Sequence, residues 1–266
     1  MNPGRTDDNR RSGGSIVTRL STASIVTPIR FGRSIRSRRL EYVENTSMAR
    51  FHPAIAAQTL SLDPSDWDRT FVIGDVHGCR ATLERLLDQL GICENDLVVF
   101  VGDLVRRGPD NHGVVEIVRS APNMYSVRGN NEEKIIAATR NVGNLTTDDI
   151  DWLRSLPVVI SWTETIVVHA GVDPRKPLTD QTVENLLDID LLNPDDESSP
   201  FWWEEYDGSL RIIFGHEPLE EPLIDDTLVG IDTGCVYGGS LTAYDCRNDR
   251  AIRTAVDNSE VYDWRF

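Results

Sequence analysis

The chain has 266 residues, a formal net charge of −16 and 39% hydrophobic residues, which suits one large α/β domain or two small ones. No apolar run approaches the roughly 20 residues that a membrane span needs, and the acidic balance argues against a nucleic-acid binder, which needs a basic footprint. The four cysteines, Cys79, Cys93, Cys235 and Cys246, show no zinc-type spacing and read as reduced thiols of a cytosolic protein.

The charge is unevenly spread. Residues 1–47 hold nine Arg, no Lys and four acids, which leaves 18 basic and 39 acidic residues for the remainder. Lys134 and Lys176 are the only lysines. An acidic, Lys-poor body fits a protein kept soluble in a salt-rich cytosol. The stretch 1–47 is rich in Arg, Ser and Gly without a sustained period. It is expected to be disordered, or untranslated if synthesis starts at Met48. Its composition is also that of a transit peptide or a partner-binding tail. One domain is expected over 48–266.

In chain order, residues 70–74 form a β-branched run that predicts a strand. Residues 80–90 place Leu83, Leu86, Leu87 and Leu90 at helical spacing, closed by Gly91. The apolar run 96–101 predicts a buried strand. A helix over 113–120, a strand over 124–127 and a helix over 131–140 follow. Residues 147–156 predict a helix with Thr147 as N-cap. Runs 158–161 and 165–168 flank Trp162-Thr163-Glu164 as a hairpin. Further strands are expected at 211–214, 227–231, 241–245 and 252–255. Strand and helix alternate in the first half, and strands dominate the second. That order predicts an α/β fold of two mixed β-sheets packed face to face with helices outside.

Three strings stand just after strand-like runs: Gly74-Asp75-Val76-His77-Gly78, Gly102-Asp103-Leu104-Val105-Arg106-Arg107-Gly108 and Gly129-Asn130-Asn131-Glu132. His169-Ala170-Gly171 and Gly215-His216 repeat the arrangement. In extended chain, residues i and i+2 point the same way, so Asp75 and His77 can share one ion. Asp103 has two oxygens with which to bridge two ions. Asn130 offers a neutral carbonyl oxygen, and His169 and His216 offer nitrogens. Of five His, only His52 and His112 stand outside such loop starts. Mixed oxygen and nitrogen ligands suit Mn, Fe or Zn rather than Ca or Mg, with manganese the first expectation. Two ions about 4 Å apart clamp a phosphoryl group and ionise a bridging water.

These strings resemble the metallophosphoesterase superfamily, of phosphoprotein phosphatase type, whose motifs read GDxHG, GDxVDRG, GNHE, HGG or HAG, and a later GH. The segment from Asp232 to Ala243 (DTGCVYGGSLTA) is similar to the DTGCVWGGxLTA segment of symmetrical diadenosine tetraphosphatases. The resemblance implies that Asp75, His77 and Asp103 hold a first metal. It implies that Asp103, Asn130, His169 and His216 hold a second. It gives Arg107 the substrate phosphate, which a planar guanidinium grips bidentately. Gly238-Gly239 then shape a turn between strands.

Two positions depart from that pattern. The histidine of GNHE, which the resemblance implies is the proton donor to the leaving group, is Asn131 here. The aspartate that orients it is Arg106. Losing a general acid costs roughly 10²–10⁴ in rate when the leaving group needs a proton. An alkoxide needs one; a nucleotide phosphate, whose second ionisation lies near ~6, does not. Phosphoanhydrides are therefore expected to be preferred over phosphoserine. Arg106 either adds charge for a polyphosphate chain or forms a surface ion pair. In Pro200-Phe201-Trp202-Trp203-Glu204, an aromatic packs in the core or stacks an adenine.

Three readings stand. The first is a cytosolic two-metal hydrolase of nucleotide polyphosphates such as diadenosine tetraphosphate. The second is a protein serine/threonine phosphatase. The third is a catalytically silent phosphate- or nucleotide-binding module. Neither nucleic acid nor a membrane is an expected partner.

The acidic body generates a salt prediction. Between ~0.1 and ~1 M salt the screening length falls from about 10 to 3 Å, so the thermal midpoint followed by circular dichroism should rise. A midpoint that is flat or falling contradicts the reading.

Overall fold

The computed structural model describes residues 51–138 and 142–262. The stretch 1–47, the start at Met48 and the end of the helix expected over 131–140 lie outside the described residues. In chain order the elements are α1 (Pro53–Ala56), β1 (Thr59–Ser61), β2 (Arg69–Ile73), α2 (Arg80–Leu90), β3 (Asp96–Phe100) and α3 (Asn111–Ser120). Next come β4 (Met124–Ser126), α4 (Asn130–Ile136), α5 (Thr147–Arg154), β5 (Val159–Trp162), β6 (Thr165–Val167) and α6 (Val183–Asp188). The chain ends with β7 (Arg211–Phe214), β8 (Leu223–Ile224), β9 (Leu228–Gly230), β10 (Asp232–Thr233), β11 (Ser240–Asp245) and β12 (Arg250–Ala255).

Side chains alternate across a strand, and here both faces of the central strands are buried. Phe71 and Ile73 of β2, with Val98 and Phe100 of β3, pack with Leu83 and Leu86 of α2 and Val114 and Val118 of α3. Their neighbours Val72, Leu97 and Val99 face the other way, toward Ile160, Val167, Ile213 and Val229 of the second sheet. That sheet turns Val159, Ile166, Ile212 and Phe214 outward onto Ile55, Leu186 and Trp202. The result is helix, sheet, sheet, helix, as the order of elements predicts.

One sheet runs β1-β5-β6-β7-β9-β8 and the other β10-β11-β2-β3-β4, with β12 also paired to β11. Strands β2, β3 and β4 are parallel, with Ile73 opposite Phe100 and Phe100 opposite Ser126. Strands β6 and β7 are parallel, with Val167 opposite Ile213. Equal register brings the carboxyl ends of each set to one edge, where loops of α/β sheets gather ligands. Among the described residues, no helix is long and apolar enough to cross a membrane.

Helix ends follow side-chain chemistry. α2 stops at Gly91, whose φ of 58° is left-handed. α5 is capped by Thr146 rather than Thr147. The Thr146 hydroxyl accepts from Asp149 N at 3.2 Å, and Asp149 Oδ2 accepts from Thr146 N at 2.8 Å, a reciprocal pair that only this register allows. α2 has no cap from its own Cys79. The distant Glu260 accepts from Ala81 N at 2.7 Å and Thr82 N at 2.9 Å instead.

Trp202 is fully buried, and its Nε1 donates to Ala170 O at 3.1 Å. It is a core residue, not a platform for adenine. Trp203 lies between Phe201 and Phe214, with ring centroids at 4.3 and 5.5 Å. Trp202→Ala should destabilise the fold by about 3–5 kcal/mol in urea unfolding. A loss below about 1 kcal/mol would contradict this packing.

Candidate metal and phosphate site

The five loops meet around Asp103. Its Oδ2 lies 3.6 Å from His77 Nε2, and its Oδ1 lies 3.5 Å from His169 Nε2. One carboxylate thus faces two imidazoles with separate oxygens, the geometry of a bridge. His77 Nε2 is 3.9 Å from Asp75 Oδ2. One ligand atom from each of Asp75, His77 and Asp103 lies within 4.8 Å of the others, so this trio can hold a metal ion. On the far side, His216 Nδ1 is 3.2 Å from His169 Nε2 and 3.4 Å from Asn130 Nδ2. All six expected ligand residues therefore sit in one cluster.

Loop backbone holds them there. Val76 N and His77 N donate to Asp103 O at 3.2 and 2.8 Å, and Gly215 N donates to His169 O at 2.8 Å. His77 Nδ1 meets Val105 O at 3.3 Å and His169 Nδ1 meets Val101 O at 2.9 Å. A proton on each Nδ1 leaves Nε2 as a free lone pair, which is how a second contact fixes a ligating imidazole. A Cβ on Gly129 would lie 2.2 Å from Asp103 Oδ1, and one on Gly215 would lie 2.1 Å from Asp75 Oδ1. The motif glycines are thus needed for space. Positive φ at non-glycine residues concentrates here, at His77 (52°), Asp103 (48°), Arg106 (83°), Arg107 (73°) and His216 (77°). Strain of this kind persists where surrounding structure over-determines it.

The electrostatics fit a cation. Burial, with the charges of Asp232 and Asp103, pushes Asp75 well up. Asp75 Oδ2 is buried without a hydrogen-bond partner among the described residues, an orphan acceptor that a metal ion would satisfy. Burial holds His77 and His169 below their ordinary value. Burial and His169 hold His216 down to about 4. The three imidazoles are thus neutral donors at neutral pH. Burial raises Asp103, but His169, His77, the backbone N–H of Asn131 and His216 together bring it below its ordinary value. Oxygen and neutral nitrogen donors together suit a divalent transition ion.

Arg107 reaches the same cluster, with Nη1 3.3 Å from His77 Nε2. Its guanidinium carbon lies 4.9 Å from the Tyr237 ring centroid. Arg106 and Asn131 are partners: Arg106 Nη1 donates to Asn131 Oδ1 at 2.6 Å. Asn131 in turn donates from its backbone N to Asp103 Oδ1 at 2.9 Å and from Nδ2 to Asp103 Oδ2. The two residues that depart from the phosphatase pattern are therefore one hydrogen-bonded unit tied to the central carboxylate.

Sequence reasoning passed over two buried carboxylates here. Glu132 accepts from Asp103 N at 2.8 Å, Val105 N at 3.2 Å and Gly129 N at 2.7 Å. It pins the second and third motif loops together. Its place at the end of the GNNE string, where a helix N-terminus needs an acceptor, was the available signal. Burial and Asp103 push it up to about 8. Asp232 is likewise buried, accepts from Gly234 N at 2.9 Å, and is raised to about 7 by burial. Gly238, with φ of 100°, shapes the turn before β11 as expected.

A model of the calcineurin-like phosphoesterase family matches residues 69–244. The chain belongs to this family of metal-dependent hydrolases. Among its relatives is the asymmetrical bis(5'-nucleosyl)-tetraphosphatase PrpE of Geobacillus sp. (strain WCH70), 31% identical over 220 residues, 65% of this chain and 88% of that protein. The symmetrical bis(5'-nucleosyl)-tetraphosphatase of Erwinia tasmaniensis is 28% identical over 252 residues, with 65% and 92% covered. Serine/threonine-protein phosphatase 1 of Salmonella typhimurium is 26% identical over 210 residues, with 68% and 93% covered. A solved structure provisionally named a diadenosine tetraphosphatase superposes with a TM-score of 0.68 at 28% identity, covering 76% of this chain and 99% of that one.

Glu132→Ala should leave three buried N–H groups unpaired. Each unpaired donor costs roughly 1–3 kcal/mol, so urea unfolding of the metal-free protein should show a loss of at least ~2 kcal/mol. Unchanged stability would contradict the pinning role.

Proposed function

We propose that this chain hydrolyses phosphoanhydride bonds of nucleotides, dinucleoside tetraphosphates first among them. The proposed centre holds two divalent cations. Asp75, His77 and Asp103 hold one, and Asp103, Asn130, His169 and His216 the other. Manganese is the proposed ion, with iron or zinc as alternatives, and the cytoplasm the proposed compartment. When bound, such a pair of ions supplies an ionised water and clamps the phosphoryl oxygens. The residues do the rest. Asp103 spaces the two halves of the site with its two oxygens. The neutral imidazoles donate lone pairs without competing protons. Arg107 orients the scissile phosphate and stabilises charge that builds on it.

The observation that carries the choice of substrate is the Arg106–Asn131 pair at 2.6 Å. An amide held by a guanidinium has no proton to deliver at neutral pH. A leaving group that departs as a phosphate needs none, whereas an alkoxide does. The pair also places a second cation beside Arg107 for a longer phosphate chain. The names of the nucleotide-cleaving relatives support the same choice. The Salmonella relative favours a second reading, a protein serine/threonine phosphatase.

Product chromatography of diadenosine tetraphosphate with the manganese-loaded protein separates these readings. Cleavage, lost in Asp103→Asn, is the expected outcome. Two ADP would mark a symmetrical enzyme; ATP with AMP would mark an asymmetrical one. The kcat on this substrate should exceed that on a phosphoserine peptide by at least ~10²-fold, the low end for a missing general acid. Faster turnover of the phosphopeptide would favour the second reading. Silence on both, with metal bound, would favour a binding module.

A further inference from the structure

We propose that the mouth of the site carries a stacking platform for a purine base, built from Tyr237 and flanked by Val261 and Tyr262. The inference rests on the nucleotide reading and names how that substrate is held beyond its phosphates. Among the described residues, the exposed large hydrophobic side chains are Tyr237 at 44%, Val261 at 38% and Tyr262 at 37%. They fall at one place. Tyr262 N donates to Val236 O at 2.7 Å, next to Tyr237. Val261 Cγ1 lies 4.0 Å from where a Cβ on Gly238 would stand. The C-terminal segment thus lies along the turn that presents Tyr237.

That turn borders the phosphate site. The Arg107 guanidinium lies over the Tyr237 ring at 4.9 Å, and the same guanidinium reaches His77 Nε2 at 3.3 Å. A substrate phosphate gripped by Arg107 therefore sends its nucleoside toward Tyr237. Burial raises the Tyr237 hydroxyl, and the charges of Arg107, Asp232, Arg106 and Asp103 are near enough to act on it as well. An exposed ring beside a phosphate grip offers a planar base both apolar cover and π-stacking, without needing a particular base.

The C-terminal segment is anchored for this purpose. Glu260 is buried, and its carboxylate takes Ala81 N, Thr82 N and, at 2.6 Å, the Thr82 hydroxyl. Those donors belong to the first turn of α2, which starts three residues after His77. The remote cap that completes α2 thereby fixes Val261 and Tyr262 beside the metal-binding loop. A second opening of about 480 Å³, lined by Asp190, Glu197, Phe201, Glu204 and Glu217 among others, also offers a ring. Its four carboxylates repel the polyphosphate that accompanies a base, so it is the weaker place for a nucleotide.

Equilibrium dialysis tests the platform without relying on turnover. The full chain, loaded with manganese, is dialysed against adenosine α,β-methylene diphosphate and against methylenediphosphonate, which has the same bridge and no nucleoside. The nucleoside form should bind about 10-fold more tightly, within the range for stacking one base on an aromatic ring. Tyr237→Ala should shrink that gap to less than about twofold, Tyr237→Phe should keep it because the ring remains, and Tyr262→Ala should narrow it. Binding of methylenediphosphonate reports in every variant that the phosphate site is folded. Equal binding of the two probes by the native protein would overturn the platform, as would a gap that survives Tyr237→Ala. A gap lost only in Phe201→Ala would overturn it too, and would move the base to the acidic opening. A gap dependent on Tyr237 in a protein that fails to cleave dinucleotides would uphold the platform and sink the hydrolytic reading alone.

Discussion

The structure depends on how it tolerates negative charge packed around one carboxylate. Asp75, Asp103, Glu132 and Asp232 are all at most 3% exposed. A buried carboxylate is stable only when hydrogen-bonded or paired with a cation. Glu132 spends its oxygens on three backbone N–H groups, and Asp232 has Gly234 N. Asp75 Oδ2 has no hydrogen-bond partner among the described residues. The imidazoles that face Asp103 help to lower it, yet burial holds them below their ordinary value, so they offset its charge only in part. The remaining charge is what a bound cation would neutralise, and the strained backbone of five site residues is what the fold sustains in order to present it.

Two sheets are needed to build such a centre. Each contributes parallel strands whose carboxyl ends lie in register, and the sheets face each other through Val72, Val99, Ile160 and Ile213. Asp75, His77, Asp103 and Asn130 follow one sheet; His169 and His216 follow the other. Neither sheet alone carries both halves. Trp202 connects this packing to the chemistry. Its indole occupies the space that a side chain on Gly171 would enter, with Cε2 only 2.2 Å from that position. The glycine of the His169-Ala170-Gly171 string is thus explained by a core tryptophan, not by substrate.

Much of this was legible in the sequence because it is local. β-branched and continuous apolar runs, glycine at strand ends and leucines at helical spacing mark the strands and α2 to within a residue or two. The cluster of proposed ligand residues was legible because each residue stands at fixed distance from such a strand end. What escaped is non-local. The cap of α2 comes from Glu260, 178 residues beyond Thr82, and no periodicity announces it. The burial of Trp202 beneath Ala170 depends on a loop folding back over β6 and β7. Short elements such as β1 and α6 carry too few residues for a pattern, and β1 owes its existence to pairing with β5. The Thr146 cap differs from expectation by one residue because two adjacent threonines compete, and only Thr146 places Asp149 where the reciprocal bond closes.

The central claim is that Asp103 and the five proposed ligand residues around it form a two-cation centre. Metal stoichiometry tests it most directly. The protein is stripped with chelator, titrated with manganese under calorimetry, and assayed for bound metal by mass spectrometry after dialysis. The account predicts two ions per chain, with both sites weakened in Asp103→Asn because that carboxylate serves both, and only one lost in His216→Ala. A single ion per chain, or two ions whose binding is indifferent to Asp103, would contradict it.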